Sequence, residues 1–299
     1  MRDMPTYTEQ PLVFTLGAEQ LVGVLTAPVG AAQDTAVLVV VGGPQVRAGS
    51  HRQFVQLARH LASQGHVALR FDVRGMGDSS GEPTGFEHQH EDIAAAIAEL
   101  MRLRPEVSRV VLWGLCDGAS ASLLYVNRTR DARVSGLVLL NPWVRSPQTL
   151  ARATLRHYYT HRLLQVGFWR KLLGGSVGLA AVQGWWQNFR TAQQRVRMGR
   201  SAEGGPFTGP FPVRMAEGWR GFKGPILLLL SGDDVTAHEF VDHAASDANW
   251  QGALTAPGVQ RVDLAGADHT FSGSEAGQQV LQATLGWMQQ QLNNRRPAA

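Results

Sequence analysis

Five short apolar runs constrain this chain more than any other feature. AVLVVV (36–41), VALRFD (67–72), RVVLW (109–113), GLVLLN (136–141) and PILLLL (225–230) are apolar at consecutive rather than alternate residues. A strand that is apolar on both sides has to be covered on both faces, as in a parallel sheet with helices above and below it. Helical segments near 51–64, 88–102 and 118–128 fill the gaps. VQRVDLAG (259–266), followed by a helix near 275–292, continues the pattern. At the start, LVFTL (12–16) and LVGVLTAP (21–28) predict an antiparallel hairpin. The expected class is α/β, with a mostly parallel, doubly wound sheet.

The rhythm stops at Pro142 and resumes at Pro225, and the composition changes with it. Residues 141–223 hold thirteen Lys and Arg against two acids, Glu203 and Glu217, whereas the rest carries fifteen bases against twenty-two acids. The expected organisation is a core of 1–141 and 224–299, interrupted after its sixth strand by a basic, helical lid or cap at 142–223. Three roles for the lid stay open. It could be a solvated basic face whose apolar stripe packs on the core. Its arginines could neutralise an anionic substrate. Its amphipathic stretch (Leu150, Leu155, Tyr158, Tyr159, Leu163 and Leu164 amid Arg152, Arg156 and Arg162) could rest on acidic lipid.

No apolar run is long enough to cross a bilayer, and MRDMPTYTEQPLVF lacks the apolar stretch of a signal peptide. The single cysteine cannot form an internal disulfide, which fits a reducing compartment, and a cytoplasmic location is expected.

That cysteine lies in Gly114-Leu115-Cys116-Asp117-Gly118, between a buried strand and a helix. A nucleophile in such a turn needs small neighbours and projects beyond the strand end, beside the positive end of the helix. Asp117 opposes thiol ionisation, so a base is required. LLLLSGDDVTAHEF (227–240) and VDLAGADHTFSG (262–273) offer one: His269 as base, with Asp234 (runner-up Asp233) as the acid that orients it. Nucleophile, acid and histidine, each after a strand, follow the chain order of one triad architecture. The competing reading makes Asp233 and Asp234 mere caps of a helix beginning near Ala237. For the developing oxyanion, the expected donors are the backbone N–H of Asp117 and, because Pro44 has none, that of Gln45 (runner-up Gly43).

With these residues in place, the chain resembles the α/β-hydrolase superfamily over nearly its whole length. Residues 39–82, with FDVRGMGDSS, are similar to its serine aminopeptidase and lipase-like branch. GGPQ, GSHRQF, FDVRGMGDS, GLCDGAS, SGDDVTAHEF and GADHTFS resemble more closely the exosortase A system-associated hydrolases of type 1. The resemblance implies an α/β-hydrolase fold and a bacterial protein linked to exopolysaccharide and protein-sorting systems. Cys116 stands where the superfamily usually has serine.

Three other motifs are set aside. RGMGDSSG (74–81) has Ser80 in place of the third glycine of a dinucleotide loop. His88-Gln89-His90-Glu91-Asp92 reads as an acid-rich helix start rather than a metal site. In His238-Glu239-Phe240-Val241-Asp242-His243 the two imidazoles lie about 140° apart around a helix, which defeats zinc geometry. Neither metal nor cofactor is expected, nor nucleic acid as a partner. The expected function is cysteine-dependent hydrolysis of an ester or thioester through a Cys-His-Asp triad and an acyl-enzyme. Trp143, Tyr158, Trp185 and Trp186 are expected to wall the acyl site. An acyltransferase with the same triad, or a non-catalytic binding or assembly protein on this fold, is the alternative.

Overall fold

The computed structural model describes residues 6–43, 45–145 and 209–293. Eight strands form one sheet: β1 (Tyr7–Leu16), β2 (Glu19–Pro28), β3 (Thr35–Val40), β4 (Ala68–Phe71), β5 (Arg109–Leu115), β6 (Val134–Leu140), β7 (Ile226–Ser231) and β8 (Val259–Leu264). Their order is β1-β2-β4-β3-β5-β6-β7-β8. β1 and β2 form the expected hairpin and β2 joins β4 antiparallel; every later pairing is parallel. This is the α/β-hydrolase fold.

The consecutive apolar residues face alternately up and down. Val37, Val39, Val111, Trp113, Val138, Leu140, Leu227 and Leu229 meet α1 (Gln53–Ser63) and the last helix, α6 (Ser274–Asn293). Leu38, Val40, Val110, Leu112, Leu137, Leu139, Leu228 and Leu230 meet α2 (His90–Leu103), α3 (Asp117–Thr129), α4 (Phe211–Gly221) and α5 (Val235–Ser246). Each such side chain, fully buried, stabilises the fold by about 1.5–3 kcal/mol before its entropy cost. Trp113 joins the first layer: its indole N–H donates to Thr284 Oγ1 (3.3 Å), and Phe54 meets its ring edge-on at 5.7 Å.

Just before the boundary expected at 223/224, the residues from Pro210 on group with the core. α4 therefore belongs with the core, although its sequence lies in the expected insertion. The reason is aromatic packing. Trp219 and Trp250 meet edge to face at 5.5 Å, and Phe240 and Trp250 at 5.3 Å. The indole N–H groups of Trp219 and Trp250 donate to the carbonyls of Ala253 (2.9 Å) and Pro212 (3.0 Å). Part of the basic excess is also spent on the core. Arg145 pairs with Glu239, Arg214 with Glu87, and Arg220 donates to the carbonyls of Asn249 and Gln251.

The motifs set aside have structural duties. Asp72, fully buried at the end of β4, accepts from the N–H groups of Arg47 (2.6 Å) and Asp78 (3.1 Å) and pairs with the Arg47 guanidinium. Asp92, also fully buried, takes a fork of bonds from Arg74, and Glu239 takes one from Arg145. Asp72→Ala would leave two backbone N–H groups unsatisfied and the Arg47 guanidinium with Asp78 as its remaining carboxylate. Its expected cost is about 2–4 kcal/mol in urea denaturation. A loss below about 0.5 kcal/mol would show that the Arg47 loop is not anchored there.

Candidate active site

All the expected chemistry-bearing residues among the described ones lie on loops at the carboxyl ends of the parallel strands, where open α/β sheets hold their ligands. Cys116 follows β5 with φ 58° and ψ −122°, a left-handed φ that costs a residue with a side chain about 1–3 kcal/mol. Hydrogen bonds hold it there. Its N–H donates to Leu140 O (2.8 Å), and its carbonyl accepts from the N–H groups of Ala119 (3.1 Å), Ser120 (3.2 Å) and Trp143 (3.3 Å). Glycine is required on both sides. A Cβ on Gly114 would come within 2.6 Å of Ala119 N, and one on Gly118 would overlap the carbonyl of Val40.

Asp234 follows β7 and His269 follows β8. His269 Nδ1 lies 2.8 Å from Asp234 Oδ2. The cap and the orienting acid are one group: Asp234 also accepts from Thr236 N–H and Ala237 N–H, both at 3.1 Å, at the start of α5. Asp233, by contrast, is exposed, and its N–H donates to Ala267 O. Asp234 and Cys116, through hydrogen bonding and charge, outweigh partial burial and push the His269 imidazole up to about 10. Burial raises Asp234, but the bond and charge of His269 and the two cap N–H groups hold it below its usual range.

The two residues expected to offer the second oxyanion donor are placed differently around the cysteine turn. The Gln45 side chain turns toward the Ser50 hydroxyl (3.5 Å). It is Gly43, the runner-up, that lies against the Asp117 side chain; burial raises that carboxyl above its usual range, and the N–H groups of Asp117, Gly43 and Gly118 offset part of this. Gly43 has φ 56°, and a Cβ there would lie 3.3 Å from Asp117 Oδ2. On Gly42 a Cβ would overlap Gly118 N and Asp117 Oδ1. The absence of an N–H on Pro44 left two candidates, and only the backbone path over α3 separates them.

Sequence reasoning missed the brace behind the site. Asn141, fully buried with φ 43°, ends β6. Its amide donates to Ser231 Oγ (2.7 Å) and to the His269 carbonyl (3.1 Å), and its Oδ1 accepts from Ser231 N–H (2.9 Å). Ser231 Oγ donates to Asp268 O (2.7 Å). Two residues on, Trp143 N–H donates to Ser120 Oγ (2.9 Å), which donates back to Trp143 O (2.7 Å). The segment 141–143 thus ties the cysteine turn to the histidine loop. A polar residue ending an apolar run was the only signal of it in the sequence. Of the four expected wall residues, Trp143 stands beside Cys116 through its backbone, and the Arg145 guanidinium lies 4.6 Å above its ring. Tyr158, Trp185 and Trp186 lie outside the described residues. Among the described residues, no helix is long and apolar enough to cross a membrane.

Two outcomes test this geometry. Asn141→Ala would orphan Ser231 N–H and the His269 carbonyl, and should cost about 2–3 kcal/mol by chemical denaturation; a neutral result would remove the brace. The His269 imidazole resonance should titrate far above the ordinary 6.5, toward about 10, and fall back in Asp234→Ala. Since the folded value is the raised one, the stability His269 adds is complete below about pH 6.5 and lost as pH climbs through about 10. Titration near 6.5 in the native protein would refute the pairing.

Comparison with known proteins agrees with the fold. Residues 32–183, about half of the chain, match the family model for serine aminopeptidase, S33. Human protein ABHD12B is 32% identical over 116 residues, covering 37% of this chain and 31% of that protein. Lysophosphatidylserine lipase ABHD12 of Xenopus tropicalis is 30% identical over 109 residues, covering 36% and 27%. The chain spans less than a third of the length of these relatives. Among solved structures, the Pyrococcus furiosus esterase Pf2001 superposes with a TM-score of 0.63 at 16% identity, over 95% of this chain and 91% of that one. That likeness is one of fold.

Proposed function

The chain belongs to the serine aminopeptidase S33 family of α/β hydrolases, and on that premise we propose that it hydrolyses an ester or thioester with Cys116 as nucleophile. The observation that carries this reading is a single imidazole bonded to a carboxylate at 2.8 Å, with its hold on a proton raised both by that carboxylate and by Cys116. In this mechanism Cys116 passes its proton to His269, whose raised affinity suits it to hold one. The Cys116 sulfur attacks the acyl carbon, and the N–H groups of Asp117 and Gly43 hold the oxyanion that forms. When the intermediate collapses, the bond to the leaving group breaks and His269 gives that group its proton. The neutral imidazole, with its tautomer fixed by Asp234, then takes a proton from water. The hydroxide attacks the acyl-thioester, the sulfur leaves, and the imidazolium is restored.

A substrate with an anionic headgroup is the favoured class. The basic composition of residues 141–223 supports it, as does the partial likeness to a lysophosphatidylserine lipase. The same segment is suited to peripheral contact with acidic membrane. The motif resemblance supports a bacterial, cytoplasmic enzyme serving an exosortase and exopolysaccharide system. Water is favoured over an acceptor alcohol because the relatives bear the names lipase and esterase.

The test joins labelling to turnover. Iodoacetamide should modify Cys116 faster than a free thiol at pH 7, and His269→Ala should slow it at least about tenfold. Short-chain thioesters, esters and an anionic lysophospholipid should be hydrolysed by the wild type, and by Cys116→Ala at less than about 1% of that rate. Labelling indifferent to His269, or equal turnover by Cys116→Ala, would refute the cysteine mechanism.

A further inference from the structure

The residue after the nucleophile carries a carboxylate where a substrate oxygen belongs. Asp117 opens α3, and its side chain folds back over the helix start rather than out to solvent. Both carboxylate oxygens lie against the Gly42-Gly43 turn, at 3.3 and 3.4 Å from where a Cβ of Gly43 would stand. The N–H groups that favour its charge are its own and those of Gly43 and Gly118. The first two are the donors assigned above to the oxyanion. No side chain of the N-cap residue, Cys116, competes for them.

We propose that the Asp117 side chain is an internal competitor for the oxyanion site and sets the rate of acylation by having to leave it. The inference rests on the acyl-transfer reading above and adds a specificity-determining residue to it. A carboxylate oxygen and a tetrahedral oxyanion are both compact anions that seek convergent N–H donors, so one set of donors serves one of them at a time. The chain must surrender those bonds before a carbonyl oxygen can enter. Asp117 is also burdened where it lies: burial works against its charge, and only the N–H groups and the His269 charge offset this. A substrate that binds tightly away from the reacting carbon can drive the exchange with that remote binding energy, whereas a minimal ester cannot. Asp117 therefore selects against small, weakly held esters, which would otherwise be hydrolysed indiscriminately.

Two reactions at Cys116 separate this idea from a simple charge effect. Acylation by p-nitrophenyl acetate needs the oxyanion donors: the S–C bond forms, the C–O bond breaks, and p-nitrophenolate leaves with the electron pair. Alkylation by iodoacetamide displaces iodide at a saturated carbon, forms no oxyanion and reports only on the sulfur. Both adducts are followed by intact-mass spectrometry in the wild type, Asp117→Asn and Asp117→Ala, with circular dichroism confirming the fold. Divided by its alkylation rate, the acylation rate of Asp117→Ala should exceed that of the wild type roughly tenfold or more. Asp117→Asn, similar in size but uncharged, should fall between them. A ratio for Asp117→Ala equal to or below the wild-type value would overturn the proposal. Should no variant form an acyl adduct while His269-dependent alkylation persists, the acyl-transfer reading itself fails, and the competitor role with it.

Discussion

The site depends on one steric constraint: three backbone segments cross within van der Waals contact at the end of β5. The Val40 carbonyl lies against Gly118, Gly114 against the Gly118–Ala119 peptide, and Gly42 against Gly118 N. With a side chain at any of the three glycines, α3 would have to move away from the sheet. The approach lets Cys116 hold φ 58° and puts the Gly43 N–H beside the start of α3. Fold and chemistry share this crossing, because the helix start that closes the turn also supplies donors.

Strain gathers around the same edge of the sheet. Six described non-glycine residues have positive φ, and five of them (His51, Arg52, Cys116, Asn141 and Phe271) lie on the loops after β3, β5, β6 and β8. Such conformations cost free energy individually and persist only where the surroundings over-determine them. Asn141 shows how. Asparagine tolerates the left-handed region better than most residues, and three side-chain hydrogen bonds hold it. The brace then fixes the His269 carbonyl, while Asp234 fixes the ring of the same residue.

The sequence made the layout legible where a local pattern has one physical cause. Consecutive apolar residues meant two covered faces, and G-x-C-x-G after a strand meant a tight turn. An Asp and a His on successive strand ends narrowed the partners to a choice between Asp233 and Asp234. It was less informative where the cause is non-local. Asn141 and Ser231 are ninety residues apart and meet only because β6 pairs with β7. Trp219 sits in a basic stretch that reads as insertion, yet its ring packs with Phe240 and Trp250 from beyond that stretch. Gly43 and Gln45 both flank a proline without an N–H, and only the path of the loop shows that Gly43 lies against Asp117.

A carboxylate beside the proposed cysteine nucleophile looked like a liability, because adjacent negative charges oppose each other. The geometry gives the charge another address. Asp117 lies against the Gly42-Gly43 turn, where backbone N–H groups and the His269 charge offset part of the cost of its burial. One imidazolium is then shared among Asp234, Asp117 and the Cys116 sulfur. A thiol gives up its proton to an imidazole more readily than a hydroxyl does, because sulfur carries the resulting negative charge more easily. On this electrostatic argument the cysteine and the histidine belong together: an imidazole whose hold on a proton is raised by Asp234 and by Cys116 itself suits a nucleophile that is stable as its anion.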